Sequence, residues 1–456
     1  MPLISGWGRY PVVESTQITF ESDARLEDIL TQSSPSTAMI PRGLGRSYGD
    51  SSLGERVIST VRMNRFISFE DAKGVLVCEA GVSIAEVIDT FLPQGWFVPV
   101  TPGTKYVTVG GAIASDVHGK NHHRSGSFSN HVEWLELAMA DGSVVRCSRS
   151  ERPELFDATC AGYGLTGVIL RAAIRLIPAE TPYIRQHSIK ARNLEEAMAV
   201  FEENSTWTYS VAWIDTLSGG RNAGRSVIVL GEHAKRTEMP NYASIRREDG
   251  ARDASVTRYK LKLKRQLSVP FDFPSFFLNP VTVGAFNYFY YHKSPARGKD
   301  EVVDYDTFFY PLDSILNWNR IYGKRGFAQY QLVLPRDGSK EGLHEILRNT
   351  SEHGDASFLA VLKLFGKEDP PYLSFAKEGY TLALDFPITR NLFEQLKELD
   401  AIVQHYGGRL YLTKDSRMGA EMLRAGYPDL DKFLQVRERA DPQKRFASLQ
   451  SKRLGI

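Results

Sequence analysis

Cysteine is scarce in this chain: Cys78, Cys147 and Cys160 are the only three in 456 residues, and none stands in a CxxC pair. An odd number at such spacing excludes a disulfide framework and a structural zinc site, implies no bound metal, and fits a reducing compartment with buried thiols. An excess of charge of either sign is also missing. Fifty-six Lys and Arg against 54 Asp and Glu leave a formal net charge of +2, so whole-chain electrostatics favours no nucleic acid partner, and recognition falls to local patches. No apolar run approaches the roughly 20 residues that span a bilayer. The opening MPLISGWGRYPVVES has no charged-then-apolar leader either. These absences predict a cytoplasmic protein, at most peripheral to the inner membrane. Repeats and low-complexity tracts are lacking too, and a chain of 456 residues exceeds the roughly 250–300 at which one core stops growing, which predicts two domains.

What the chain does have is glycine, gathered in three loops. The stretch 102–131, PGTKYVTVGGAIASDVHGKNHHRSGSFSNH, passes from a Pro-Gly turn through the strand-like run Tyr106 to Val109, then breaks at Gly110-Gly111 into small residues that start a helix. Main-chain N–H groups left bare by Gly110, Gly111, Ala112, Ala114 and Ser115 suit a diphosphate, and His118, Lys120, His122, His123 and Arg124 follow at once. A second loop, PRGLGRSYGD at 41–50, alternates glycine with Arg42 and Arg46, a pattern made for an anion. The third places Gly162, Gly164 and Gly167 before an apolar β run. Three such loops in one α+β region read as one extended cofactor site. They lack the strand-GxGxxG-helix context of an ordinary dinucleotide fold.

Hydrophobic periodicity predicts helices at 24–33, 84–92 and 194–203, a short strand at 38–41, strands in 57–66 and 74–83, and a hairpin over 132–148 turning at Asp141-Gly142. Character changes near Pro178, and Thr181-Pro182 marks a hinge. Strands are expected in 208–217, 225–233, 306–313, 318–323, 327–335, 357–366 and 380–388, and the charged stretch 235–265 reads as a loop or exposed helix. The aromatic stretch 269–293 reads either as core or, beside the basic RYKLKLKR, as a surface for anionic lipid. Gln329 and Gln331 stand two apart and so share a strand face, while Lys363 lies in an apolar run, where a lysine needs a partner or a task. Residues 407–423 predict a strand leading into a helix capped by Asp415 or Ser416, and a small basic helix closes the chain.

Taken in order, PRGLGRSYGD, PGTKYVTVGGAIASDVHGKNHH, GLTGVILRA, WNRIYG, QYQ, KLFG and RLYLTKDSR resemble the decaprenylphosphoryl-β-D-ribose 2-oxidases, a branch of the vanillyl-alcohol-oxidase (PCMH-type) FAD-binding flavoproteins. The resemblance covers nearly the whole chain. It implies an α+β, two-domain PCMH-type fold, with an FAD-binding domain from 1–181 plus 409–456 and a substrate-binding domain over 182–408 built on an antiparallel sheet. It implies that FAD is held by Arg42, Gly43, Leu44, Gly45, Arg46, Ser47, Gly103, Thr108, Val109, Gly110, Gly111, Ser115, Asp116, Val117, His118, Ile169 and Tyr411. Many relatives attach FAD through a histidine of the first glycine loop; Arg46-Ser47-Tyr48 offers none, so noncovalent FAD is expected. Lys414 would stabilise charge or take the proton, with Tyr48 and His118 completing the catalytic wall. Lys120, Trp213, Tyr310, Arg320, Gln329, Gln331, Lys363 and Asp385 would bind substrate.

The implied reaction converts the 2-hydroxyl of a prenylphosphoryl-β-D-ribose to a ketone, the first half of an epimerisation to the arabinose of cell-wall arabinan. An NAD(P)H-dependent keto-reductase would complete it, with quinone or oxygen as electron acceptor. Thr381 and Ala383 replace an Asn and a Cys of the mycobacterial pattern, which alters the sugar site without touching hydride transfer. The alternatives are oxidation of a soluble sugar, alditol or nucleoside by FAD, or a flavin-containing binding subunit.

Overall fold

The computed structural model describes residues 1–34, 37–239, 261, 266–274, 277–294, 298–353, 357 and 359–456. Most of the charged stretch 235–265 lies outside the described residues. In the first part of the chain, β3 (Thr16–Thr19), β4 (Ile40–Arg42) and β5 (Arg56–Ser59) form a parallel sheet in the order β3-β5-β4. An antiparallel sheet lies in the order β10-β9-β11-β7-β6, from β6 (Phe66–Glu70), β7 (Val75–Glu79), β9 (Val132–Ala138), β10 (Val144–Cys147) and β11 (Val168–Arg175). The expected hairpin is β9-β10, its turn made possible by Gly142 at φ 89°. Short pairs join β1 (Leu3–Ser5) to β2 (Val12–Glu14), β8 (Trp96–Phe97) to β12 (Ile177–Pro178), and β16 (Leu267–Ser268) to β18 (Ile315–Leu316).

The middle of the chain forms an eight-stranded antiparallel sheet in the order β17-β13-β15-β14-β20-β21-β19-β22. Its strands are β13 (Tyr183–Ala191), β14 (Tyr209–Ile214), β15 (Ser226–His233), β17 (Lys299–Asp304), β19 (Phe327–Pro335), β20 (Ala360–Phe365), β21 (Gly379–Pro387) and β22 (Arg409–Leu410). Period-two alternation gives the sheet two unlike faces. Ile228, Ala212, Leu362, Leu382 and Leu332 point into the main core, covered by the helices Leu194–Glu203, Ser339–Glu352 and Leu392–His405. Val227, Trp213, Lys363, Asp385 and Gln331 point the other way, into a cavity.

The chain then returns to its first part. Met39 N–H donates to the Arg445 carbonyl (2.8 Å) and Ala447 N–H to the Met39 carbonyl (3.0 Å). The buried Arg445 guanidinium donates to the carbonyls of Leu30 (2.7 Å) and Ala140 (2.5 Å). The three cysteines are free and buried.

Several local expectations are corrected. Val109 is not strand but the first residue of the helix Val109–Ala114, because Thr108 caps the Gly111 amide at 3.1 Å. Residues 306–313 and 318–323 are short helical turns, not strands; Asp304 caps the Thr307 amide at 3.0 Å, and Asn317 enters the second turn at φ 55°. Asp415 and Ser416 do not cap the helix Ala420–Gly426, whose N-cap is Gly419. The aromatic stretch is not core: the helix Pro280–Lys293 leaves Val281 80% and Phe289 70% exposed. Among the described residues, no helix is long and apolar enough to cross a membrane.

Candidate active site

Three irregular segments meet beside the polar half of the eight-stranded sheet. Trp7 N–H donates to the Ser47 carbonyl (2.8 Å) and Tyr48 N–H to the Thr413 carbonyl (3.0 Å), so backbone bonds lace the segments around residues 7, 48 and 413 together. Glycine makes this approach possible. A Cβ on Gly49 would fall 1.7 Å from the Asp415 carbonyl oxygen. The loop around Lys414 is also fixed from its other side. Asp415 accepts from the Arg417 and Met418 amides (3.0 and 2.7 Å) and from Arg453 (2.9 Å), and Arg453 also holds Asp50 at 2.8 Å. Lys414 thus projects from a platform tied on both sides.

The platform, the glycine loops and the sheet face enclose a cavity of about 930 Å³. Fifteen of the residues implied as FAD ligands line it: Arg42, Gly43, Leu44, Gly45, Arg46, Ser47, Gly103, Thr108, Gly110, Gly111, Ser115, Val117, His118, Ile169 and Tyr411. A Cβ on Gly103 would meet nothing within 4 Å, so backbone there is open to a guest. Arg42 is anchored on the Ser5 carbonyl (2.7 Å), and Arg46 lies 4.2 Å from the Trp7 ring centroid while donating to the Tyr106 carbonyl (3.2 Å). A backbone-rich cradle with two oriented guanidinium groups fits a flavin dinucleotide. Val109 and Asp116 stand outside it. The Val109 side chain is wholly in the core, and Asp116, at φ 39°, accepts from the Ser129 amide (3.0 Å) and the Ser374 hydroxyl (2.8 Å), so it closes a turn.

Side chains of β19, β20 and β21 face the cradle. Gln329 and Asp385 are register partners; Gln329 Nε2 donates to Asp385 Oδ1 (2.5 Å) and the Tyr322 hydroxyl to Oδ2 (3.4 Å). Lys414 Nζ lies 3.6 Å from the Tyr48 ring centroid. Gln331 Nε2 donates to His118 Nε2 (3.1 Å) and to Thr381 Oγ1 (3.3 Å). The His118 proton therefore sits on Nδ1, a buried atom without a partner among the described residues. Lys120 donates to the Phe308 carbonyl and lies 4.4 Å from that ring's centroid. No ion pair joins Lys120, Lys363 or Lys414 to a carboxylate among the described residues.

Burial sets the protonation of this cluster. It pushes Lys363 down to about 8 and Lys120 down to about 7, the Lys363 charge adding to the second. Burial likewise lowers Lys414, an effect that Asp385 opposes, and it raises the Asp385 carboxyl. His118 is held well below its ordinary range by burial and then by Lys363, so its ring is neutral, and burial keeps the Tyr48 hydroxyl protonated.

Lys414, Tyr48, His118, Lys120, Trp213, Gln329, Gln331, Lys363 and Asp385 are thus brought together, and two expected substrate residues are not. The buried Tyr310 hydroxyl shares a 2.6 Å hydrogen bond with Thr101. Arg320 does not line the cavity; its Nη1 donates to the carbonyls of Val269 (3.2 Å) and Pro270 (2.9 Å). Sequence reasoning missed Trp7, the stacking partner of Arg46, and Tyr322, which holds Asp385. The glycines bracketing Trp7 were the available signal for the first.

Comparisons with known proteins place the chain among FAD-binding oxidoreductases. A family model described as "FAD binding domain" matches residues 18–148, and one described as "D-arabinono-1,4-lactone oxidase" matches residues 333–454. The chain is 38% identical over 460 residues to the decaprenylphosphoryl-beta-D-ribose oxidase of Mycolicibacterium smegmatis, covering 99% of this chain and 97% of that protein. It is 33% identical over 387 residues to a Streptomyces coelicolor protein from the mprA 5' region, covering 82% and 100%. Similarity to human delta(24)-sterol reductase, 32% identity over 145 residues, covers 32% of this chain and 28% of that one.

Proposed function

This chain belongs to the decaprenylphosphoryl-β-D-ribose oxidase family of PCMH-type FAD-binding flavoproteins, and on that premise we propose that it oxidises the 2-hydroxyl of a prenylphosphoryl-β-D-ribose to the 2-keto sugar. One observation carries the substrate assignment: Lys120 and Lys363 line the cavity half-buried, with no ion-pair carboxylate among the described residues, beside Asp385 and Lys414. Two half-buried cations facing one cavity without a counter-charge attract an anion, and a sugar phosphodiester supplies one.

FAD, when bound, supplies the acceptor for the hydride that leaves C2. The hydroxyl must lose its proton in the same event. Lys414, whose ammonium form burial disfavours, takes it as the free amine, and the Tyr48 ring 3.6 Å away supports the ammonium so formed. Asp385, fixed by Gln329 and Tyr322, balances that charge. Gln331, whose amide protons go to His118 and Thr381, keeps its side-chain carbonyl to accept from the sugar, and Lys120 and Lys363 hold the phosphodiester.

The same reading divides the chain into an FAD-binding part, 1–181 with 409–456, and a substrate-binding part, 182–408; the hydrogen bonds from Met39 to the Arg445 region support it. It assigns the ketone to a separate NAD(P)H-dependent keto-reductase, giving the arabinose of cell-wall arabinan, and reoxidation to a quinone or oxygen. The exposed aromatic helix Pro280–Lys293 gives the protein a peripheral contact with the lipid that carries its substrate. Anaerobic titration with prenylphosphoryl ribose tests the proposal: the flavin absorbance bleaches and the 2-keto product appears. Bleaching by a soluble polyol, with none by prenylphosphoryl ribose, would overturn it.

A further inference from the structure

The sheet face that walls the cavity changes character from one side to the other. One cross-strand row runs Gln331, Ala383, Val361, Trp213, Val227 through consecutive register partners on β19, β21, β20, β14 and β15. Its polar member stands at the β19 end, and from β21 onward the row is apolar. Val211 and Val229, also register partners, widen the apolar side. At the usual spacing of about 4.8 Å between strands, the stretch from β20 to β15 is roughly 10 Å wide.

Lys363 marks the border. It shares the cavity face of β20 with Val361, two residues away, and its charge is felt by Lys120. An anion at these lysines therefore has hydrogen-bonding groups on one side and bare valine on the other. A soluble sugar phosphate would leave that apolar wall against water, which is unfavourable. The wall also reaches the surface. Tyr290 lies 4.7 Å from Trp213 between ring centroids. Tyr290, Phe286, Ile315 and Leu316 line the same cavity, yet they are 41%, 37%, 37% and 41% exposed.

We propose that this strip is the path of the substrate's isoprenoid chain, which runs from the lysines over Val361, Trp213, Val211 and Val229 and leaves between the helix Pro280–Lys293 and β18. The inference rests on the prenylphosphoryl-ribose reading above and adds to it the place where the lipid is recognised. The sugar is read at the β19–β21 end and the lipid at the β14–β15 end. The phosphodiester is the hinge between them. Chain length is felt through the first isoprenoid units, because the wall ends at the surface.

The test compares kcat/KM for geranylgeranylphosphoryl-β-D-ribose and methylphosphoryl-β-D-ribose on the FAD-loaded enzyme and on a Val211→Thr, Val229→Thr double variant. Withdrawing even a few methylenes from water is worth well over tenfold in binding, so the wild-type ratio is expected to be about 100 in favour of the long chain. Hydroxyls placed in the strip lower that ratio about tenfold, because they reward water over hydrocarbon. Geranylgeranyl phosphate, which carries no sugar, provides a readout apart from turnover: its Kd, followed by tryptophan fluorescence, rises by a similar factor in the variant. Equal kcat/KM for the two esters in the wild-type enzyme, with normal 2-keto product, would overturn the lipid path and leave the oxidase reading intact. A ratio that the double variant does not change would do the same. Failure of both esters to bleach the flavin would remove the oxidase reading and this inference with it.

Discussion

Replacing Lys363 with methionine should make the protein more stable and worse at its task. Burial lowers the Lys363 ammonium from 10.5 to about 8, and each unit corresponds to about 1.36 kcal/mol, so holding the charge in a dry site would cost about 3 kcal/mol. The side chain lines the cavity and is only partly buried, so solvent screening reduces the expected gain to about 1–2 kcal/mol. The pH dependence follows from the direction of the shift. Between about 8 and 10.5 the unfolded chain holds this proton and the folded one does not, so stability rises with pH through that window and the penalty is complete below it. Lys363→Met should therefore melt above the wild-type enzyme at pH 7, with the difference vanishing as pH approaches 10.5. Scanning calorimetry of the FAD-loaded proteins reads this directly. In the same variant, KM for prenylphosphoryl ribose should rise at least about tenfold, as expected for a lost charge-assisted bond to phosphate. A variant that melts lower at pH 7, by a pH-independent amount, would refute the reasoning, since Lys363 would then have a satisfied structural role. So would an unchanged KM.

Lys414→Met should keep bound flavin, visible in the absorption spectrum, and lose about 10²- to 10⁴-fold in kcat, the usual span for a missing proton-transfer group. Asp385→Asn removes the charge that raises Lys414, so the free amine persists to lower pH and the acid limb of kcat/KM moves to lower pH; a limb that stays in place would detach Lys414 from that titration. Acid precipitation should release all of the flavin into the supernatant, because no histidine stands in the Arg46-Ser47-Tyr48 segment; yellow pellet would contradict noncovalent binding.

Much of the site was legible because it depends on spacing. Gln329 and Gln331 share a face through strand periodicity alone, and Lys363 stood out as a charge in an apolar run whose neighbours Leu362 and Leu364 fill the core. Glycine clusters announced the cradle for the same kind of reason, since bare backbone is useful only where something approaches it. The failures share a different cause. Asp304 capping Thr307 turns a β-prone aromatic run into a helical turn, and a single side-chain bond of that kind is invisible to periodicity. Tyr310 and Arg320 fall outside the cavity lining, because residue type cannot reveal that Thr101 holds the Tyr310 hydroxyl or that Arg320 turns its Nη1 to the Val269 and Pro270 carbonyls. The apolar half of the sheet face was hidden too, since Val211 and Val229 look like core until the strand order shows which wall they paper.

The anchoring of Lys414 through Asp415 to Arg453 and Asp50 has a bearing on how the enzyme comes into being. Asp50 and Arg453 are 403 residues apart in the chain, so the glycine loops leave the ribosome long before the residue that steadies the lysine opposite them. A nascent polypeptide holds its glycine loops early, but neither Tyr411, which lines the cradle, nor Arg453, which holds the Lys414 loop, is in place until the last part of the chain docks. Flavin uptake and catalytic competence therefore arrive together, late in biogenesis, when the two ends of the chain meet.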